Sequence, residues 1–254
     1  MRQAIVQVQH HVSHRSAFQR RLIDQPLMRN VIADMVLESE AALNLSLRVA
    51  RAVDNQNSNE DERSFARLST AISKYWITKR APYLVFEALE CHGGPGYIEE
   101  SIMPRLYREA PLNSIWEGSG NVMCLDVLRA LQRDKNALPA LFRELASAKG
   151  SNKNFDESFN HLKQTLQDPI DLEVEARLLT EKMACLIQAS IFIKSGEEEK
   201  VSAFCNSRLG PRWSGAFGTL PTDTSFEYIM GCLLYTSDAA DEGLGVDLGG
   251  RRII

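Results

Sequence analysis

The length of two amphipathic helical segments constrains the fold of this sequence more than any other feature. Apolar residues return every three or four positions over residues 27–49 and again over 65–89. This spacing places apolar side chains along one face of an α-helix. Because an isolated helix cannot bury such a face, the two segments are predicted to pack together. The two stripes consist of Leu27, Val31, Met35, Ala42, Leu45 and Val49, and of Phe65, Leu68, Ile72, Tyr75, Trp76, Tyr83, Phe86 and Leu89.

Further helical segments extend this pattern along the chain. Residues 2–20 are predicted to form the first helix, Asp24 to cap the second, and Ser119 to begin a fourth. No run of residues shows the two-residue period of a strand. Helices joined by short connections predict an all-α fold. We expect a four-helix bundle over about residues 1–148 and a smaller helical subdomain over about residues 155–231.

Both ends of the sequence depart from this organisation. Helical spacing begins at Met1 with no capping residue before it, so we expect the sequence to start inside a helix of a longer protein. Residues 232–254 show neither helical nor strand periodicity, and they resemble the conceptual translation of a sequencing-library adapter. A natural glycine-rich tail is the alternative. We therefore leave this segment out of the prediction of the fold.

Charge and cysteine content narrow the class of protein. The formal net charge of -4 argues against a chain that wraps nucleic acid along its whole length, although it leaves a local basic patch open. The five cysteines are scattered, which predicts neither a disulfide framework nor a zinc site and favours a reducing compartment such as the cytoplasm. No stretch is apolar for long enough to span a membrane, and no secretion signal precedes the first helix.

His10 and His14 lie one helical turn apart, a spacing that can bind a metal ion. No Glu, Asp or Cys accompanies them locally, so we predict no metal site. The sequence also lacks the nucleophile elbow of serine hydrolases, the phosphate-binding loop of nucleotide hydrolases and the dinucleotide-binding glycine motif.

Three short motifs follow one another between residues 90 and 127, and a fourth lies upstream. The three are Gly93-Gly94-Pro95-Gly96-Tyr97, Arg108-Glu109 and Trp116-Glu117-Gly118-Ser119, and the fourth pairs Arg15 with Phe18 as Arg-x-x-Phe. Their order and spacing resemble the signature of the acyl-CoA dehydrogenase family. The flanking residues are most similar to the branch associated with the DNA alkylation response and to isovaleryl-CoA dehydrogenase-like proteins. The resemblance covers residues 1 to about 231.

The resemblance implies a flavoenzyme that removes a proton from the α-carbon of an acyl-CoA and a hydride from its β-carbon. Glu117 matches the carboxylate that takes the proton in many members of the family, and the FAD cofactor accepts the hydride. Trp116 and Ile115 flank Glu117, so we expect partly desolvated surroundings that improve it as a base. The family also carries an N-terminal helical domain and a β-domain that covers the flavin, so this chain alone is expected to bind FAD poorly.

The resemblance further implies which residues contact FAD. Glycines admit a diphosphate close to the backbone, and an arginine can donate two hydrogen bonds to it. The start of a helix favours negative charge. Glu90 stands where the family carries Gln, and Gln19 stands where it carries Gly. The implied cofactor-binding residues are Arg15, Phe18, Glu90, Gly93, Gly94, Ser119 and Asn121. Arg108 and Glu109 are predicted to form a buried pair that fixes their loop.

The resemblance also implies partners, and it leaves an alternative function open. Members of the family assemble as homotetramers, dimers of dimers, through this bundle, and one branch is associated with double-stranded DNA. The alternative to the dehydrogenase is therefore a flavin-containing DNA-binding protein with residual dehydrogenase activity. Its candidate basic residues are Lys194, Lys200, Arg208 and Arg212. A helical oligomerisation module without chemistry is a third possibility.

Overall fold

A computed structural model describes residues 1–167, 171–211 and 213–231, and these residues confirm the predicted all-α class. Ten helices of this part of the chain, labelled in order, are followed by one turn of π-helix at Cys205–Leu209 and a short helix over 226–231. Their bounds are α1 Arg2–His14, α2 Pro26–Asn55, α3 Glu60–His92, α4 Gly94–Tyr97, α5 Met103–Glu109, α6 Gly120–Arg133, α7 Ala137–Ala146, α8 Lys153–Gln167, α9 Ala176–Ser195 and α10 Glu198–Phe204.

The two long amphipathic segments form α2 and α3, which a four-residue connection joins as neighbours. The side chain of Asn59 caps α3 by accepting hydrogen bonds from the backbone amides of Asp61 and Glu62, at 2.9 and 3.2 Å. Most of the second stripe is buried in one continuous core, to which the first stripe contributes Met35 and Leu45, with Val31 and Val49 packed partly buried against it. Three residues of the two stripes are exposed instead, namely Leu27 of the first stripe and Tyr83 and Phe86 of the second. These three mark apolar surface that the described residues leave uncovered.

The prediction that the first helix extends to residue 20 was wrong. Helix α1 ends at His14 and is followed by a small antiparallel hairpin of two strands, β1 (Ser16–Ala17) and β2 (Arg20–Arg21). The two loop residues, Phe18 and Gln19, have positive φ angles of 52° and 65°. Positive φ angles at both residues of a two-residue loop define a type I′ turn, whose backbone twist matches the twist of the two flanking strands. This conformation favours glycine, which gives a physical reason for the Gly that the family carries at the position of Gln19.

The predicted helix cap at Asp24 was also wrong. Gln25 holds the N-cap position of α2, and Pro26 is its first residue, where a proline costs no hydrogen bond. Asp24 instead accepts two hydrogen bonds from the guanidinium group of Arg21, at 2.9 and 3.2 Å. The Asp24 carboxylate therefore binds the side chain of Arg21 instead of capping the N-terminus of α2.

The helices α1, α2, α3 and α6 form the bundle, and α9 packs against three of them. Helix α3 contacts the other three bundle helices, and α9 lies against α2, α3 and α6. Leu186 and Ile187 of α9 are completely buried in the same core as the bundle residues. The predicted division into a bundle and a subdomain near residue 150 stays a prediction. The predicted tail at 232–254 lies outside the described residues.

Candidate functional site

The turn that carries Glu117 has an unusual backbone. It connects a short 3-10 helix, Ala110–Ser114, to the start of α6. Glu117 and Gly118 follow one another with φ angles of 53° and 125°, and a glutamate rarely adopts the first of these conformations. Lys74, from the middle of α3, donates hydrogen bonds to the carbonyl oxygens of Asn113 and Gly118, at 2.6 and 3.1 Å. The turn is therefore fixed against the longest helix of the bundle.

Glu117 and its two predicted apolar neighbours lie on the surface of this chain. Glu117 is exposed, and the side chains of Ile115 and Trp116 are 62% and 56% exposed. The described residues alone therefore do not desolvate the carboxylate. An exposed Trp beside an exposed Ile is apolar surface that a ligand or a further protein segment would cover.

The N-terminus of α6, directly after this turn, is positively charged. Ser119 holds the N-cap position, and its side chain makes no capping hydrogen bond. The side-chain oxygen of Asn121 accepts a hydrogen bond of 2.8 Å from Nε of Arg177 on α9. A Cβ atom added at Gly120 would lie 3.5 Å from Nη2 of Arg177 and 3.7 Å from Nζ of Lys79. Two cationic side chains thus lie beside free backbone amides, an arrangement that favours an anionic ligand.

The glycine motif lies at the C-terminal end of α3. Gly93 ends the helix with a φ of 64°, and its amide donates to the carbonyl of Glu90 at 2.9 Å. A Cβ atom on Gly94 would meet nothing within 4 Å, whereas one on Gly96 would lie 2.3 Å from the carbonyl oxygen of Leu89. Gly96 is therefore required by packing within this chain. Gly94 is not, and its lack of a side chain leaves open surface.

The hairpin that carries Arg15 and Phe18 lies at the same end of the bundle as the glycine motif. The imidazole rings of His11 on α1 and His92 on α3 are 4.8 Å apart between centroids, which brings the C-terminal ends of the two helices together. Arg15 is exposed, and the side chain of Phe18 at the hairpin tip is 92% exposed. No described residue buries this phenylalanine.

The seven predicted cofactor residues therefore form two separate groups. Ser119 and Asn121 lie with Glu117 beside the middle of α3, whereas the group with Gly93 and Arg15 lies at its C-terminal end. Gly93, the C-cap of α3, lies nineteen positions after Lys74, a rise of about 28 Å along the helix. The sequence predicted these residues but not their division.

An open, mostly apolar groove begins at the Glu117 turn. Its volume is about 1020 Å³, and it runs between α2 and α3 from Trp116 towards Met1 and Tyr228. Leu43 lies in its wall and is half exposed. A groove of this volume is in the range of small-molecule sites, and apolar chains fit such walls.

The prediction of a buried Arg108–Glu109 pair was wrong. Arg108 does not form a buried pair with Glu109: it is exposed and donates to the carboxylate of Glu99 at 2.7 and 3.1 Å. The motif is a surface feature here because α5 turns Arg108 towards the loop that precedes it. The side-chain bond with Glu99 raises the pKa of Arg108 above its ordinary value.

Two of the four candidate basic residues for DNA binding are buried. Arg208 is buried and pairs with Asp34 and Glu38, and Lys200 is buried and lies 2.5 Å from a carboxylate oxygen of Glu40. Lys194 is partly exposed and pairs with Glu144 at 2.8 Å. Arg212 lies outside the described residues. Arg208, Lys200 and Lys194 thus form ion pairs within the chain, which a count of basic residues cannot reveal.

The remaining predictions concern metals and membranes. His10 and His14 stack with ring centroids 4.6 Å apart, and no group of three or more potential metal ligands is found in the described ranges. None of the helices in that part of the chain has both the length and the apolar character needed to cross a bilayer.

Lys74, Lys79 and Arg177 are the site residues that the sequence did not indicate. Each lies on a helix in which the spacing of apolar residues identifies only the buried face. Each side chain also reaches a segment that is distant in the sequence. A lysine that donates to carbonyl groups leaves no local signal, because its acceptors belong to the backbone. Their roles become visible only when α3, α6 and α9 are packed.

Comparisons with known proteins agree with this fold and these motifs. Residues 1–132 match the family model described as acyl-CoA dehydrogenase, C-terminal domain. The chain therefore belongs to the acyl-CoA dehydrogenase family. It is 40% identical over 212 residues to the putative acyl-CoA dehydrogenase AidB of Escherichia coli K12, an alignment that covers 84% of this chain and 39% of that relative. The chain thus spans about two-fifths of the length of this relative.

Solved structures show the same fold. The acyl-CoA dehydrogenase ACDH-11 of Caenorhabditis elegans, in complex with C11-CoA, superposes with a TM-score of 0.71 at 22% identity, over 97% of this chain and 44% of that one. An acyl-CoA dehydrogenase of Bacillus anthracis complexed with FAD gives a TM-score of 0.63 at 16% identity, over 91% of this chain and 48% of that one.

Proposed function

We propose that this chain provides the catalytic carboxylate and part of the FAD site of an acyl-CoA dehydrogenase. The observation that carries the proposal is the grouping of Glu117, Ser119 and Asn121 beside an apolar groove. A carboxylate, an anion-favouring helix N-terminus and an apolar groove suit an enzyme that takes a proton from an acyl thioester next to a flavin. When bound, FAD supplies the acceptor for the hydride.

The residues of both groups fit a flavin dinucleotide. The α6 N-terminus, with Arg177 and Lys79 beside it, suits an anionic or electron-rich part of the cofactor. The open backbone at Gly94 and the exposed guanidinium group of Arg15 suit a diphosphate. Glu90 is the one residue of the set whose charge opposes a diphosphate.

The distance between the two groups favours a site built from two copies of the chain. In this proposal one FAD meets the Glu117 group of one copy and the Gly93 group of another, because the two groups of one chain lie about 28 Å apart along α3. If the Gly93 group of one copy faces the Glu117 group of another, both groups contact the same FAD. The exposed side chain of Phe18 is then covered by the cofactor or by the second copy. This arrangement is the physical basis for proposing a homotetramer, in which each pair of copies completes its cofactor sites.

Glu117 acts as the base in this proposal. Glu117 is exposed and directly follows Trp116, which lines the groove that an acyl chain would enter. Covering Trp116 and Ile115 by ligand or by another domain would desolvate the carboxylate and strengthen it as a base. The residues of this chain therefore bind the acyl chain, orient its α-carbon and accept the proton at a Glu117 carboxylate oxygen.

The proposal is tested on the protein expressed from its complete gene. Its visible spectrum shows whether flavin is retained, and isovaleryl-CoA and longer acyl-CoAs are then added without oxygen. Bleaching of the flavin band supports the dehydrogenase. A bound flavin that no acyl-CoA reduces contradicts it, and titration with duplex DNA at several salt concentrations would then test the alternative.

A further inference from the structure

Lys74 stands out among the charged residues near Glu117 because its donors are directed at the backbone of a single turn. Its ammonium group donates to the carbonyl of Asn113, four residues before Glu117, and to that of Gly118, one residue after it. The two acceptors therefore lie on either side of the carboxylate in the sequence. A single side chain thus fixes both ends of the segment that presents Glu117.

The lysine itself is firmly held. It lies in the middle of α3, where its neighbours Ile72, Tyr75 and Trp76 are buried in the core. In the described part of the chain, no carboxylate lies within ion-pair distance of Lys74. Its contacts with the turn are therefore not shared with a competing acidic partner. Through these two hydrogen bonds, α3 determines the position of the turn that carries Glu117.

The turn needs such a constraint. Glu117 holds a φ of 53°, which an L-residue with a side chain seldom adopts unless its surroundings fix it. Gly118 continues the left-handed path, and Met123 of α6 packs where a Cβ atom on this glycine would lie. Without the two hydrogen bonds from Lys74, Glu117 can relax to an ordinary backbone conformation, which would turn its carboxylate in another direction.

We infer that Lys74 is a positioning residue for Glu117, acting through the backbone of the turn. The inference rests on the proposed function, because positioning matters only if Glu117 is the base. It adds a role that neither the motif nor the groove assigns. The lysine sets where the carboxylate stands relative to the α-carbon, and its effect is on the step that moves the proton.

Three variants separate this role from a general structural one. Lys74→Met keeps an unbranched side chain one atom shorter and removes its donors, whereas Lys74→Arg keeps donors. Lys182→Met is the matched control, since Lys182 is also a partly buried lysine within a long helix, and its bond goes to His161 at 3.3 Å. Hydrogen–deuterium exchange of the 254-residue chain reports on the amides of residues 113–119. Anaerobic stopped-flow reduction of the flavoprotein from the complete gene reports on the proton transfer.

We expect Lys74→Met to raise exchange in the turn and to lower the limiting rate of flavin reduction by roughly tenfold or more. Lys74 lines the groove, and methionine keeps an unbranched side chain of similar size in its wall. The dissociation constant for acyl-CoA should therefore change by less than about twofold. Lys74→Arg should restore most of both properties, and Lys182→Met should match the wild type.

Two results would overturn the inference by different routes. Unchanged exchange or an unchanged reduction rate in Lys74→Met would show that the lysine does not position the turn or that its position is unimportant, with the proposed function intact. A wild-type flavoprotein that no acyl-CoA reduces would remove the proposed function and the catalytic role of Lys74 with it. The exchange data would in that case still decide whether Lys74 fixes the turn.

Discussion

Arg208 and Asp34 form an ion pair in the interior of the protein although 174 positions separate them in the sequence. Glu38 accepts from the same guanidinium group at 3.1 Å and also lies 3.2 Å from Nε of Arg80. Asp34 in addition accepts from the backbone amide of Gly218 at 2.9 Å. This buried cluster fastens the segment after α10 to the face of α2.

Removing one member of the cluster should destabilise the protein strongly. Arg208→Met leaves Asp34 and Glu38 with too little compensating charge in the core, which costs about 3–5 kcal/mol. Thermal or urea unfolding of the 254-residue chain measures the loss. Arg108→Met is the control, because its pair with Glu99 is exposed on both sides and its loss should leave stability nearly unchanged. Equal effects of the two changes would contradict the structural role of the cluster.

The same cluster predicts how stability depends on pH. Burial alone would raise the pKa of Glu38, but the guanidinium groups of Arg208 and Arg80 hold it below the ordinary value of 4.5. A carboxyl group whose pKa is lower in the folded state contributes stability above its unfolded pKa, and this contribution is lost as the pH falls through the folded pKa. The free energy of unfolding should therefore fall below a pH of about 4.5. Glu38→Gln should show a shallower fall, and an identical pH profile would rule out this contribution.

Two glycines of one motif should respond differently to a methyl group. Gly96→Ala places a Cβ atom against the carbonyl oxygen of Leu89 and should cost about 1–3 kcal/mol of stability. Gly94→Ala meets open space and should leave stability unchanged. In the flavoprotein, Gly94→Ala should instead weaken FAD retention, because the added methyl group occupies the approach to the backbone. Unfolding curves and flavin content measure the two effects, and reversed sensitivities would contradict this assignment.

The sequence predicted the long helices of this fold but not the short hairpin or the buried ion pairs. The stripes along α2 and α3 predicted two long helices, because core packing requires that periodicity over many turns. The hairpin after α1 was missed because only four residues form its strands, too few to establish a period. The burial of Arg208 was missed because its partners lie on α2, and no local pattern distinguishes a buried arginine from a surface one.

For the candidate site, the sequence likewise predicted the local motifs but not the contacts between distant segments. The motifs located Glu117, the glycines and Ser119 because each is a short, contiguous pattern. They did not predict that these residues separate into two groups, since that separation depends on the length of α3. They also did not indicate Lys74, whose acceptors are backbone atoms 39 and 44 positions away. Contacts between distant segments are the part of the site that only the folded chain reveals.

The most direct test of the central proposal is the anaerobic rate of flavin reduction by acyl-CoA in the wild type and in Glu117→Gln. Glutamine keeps the shape of the side chain and cannot take the α-proton. We predict that the wild-type flavin is reduced and that the variant retains its flavin and binds acyl-CoA but is reduced slower by roughly 10²–10⁴-fold. Equal rates in the two proteins would contradict the assignment of Glu117 as the base.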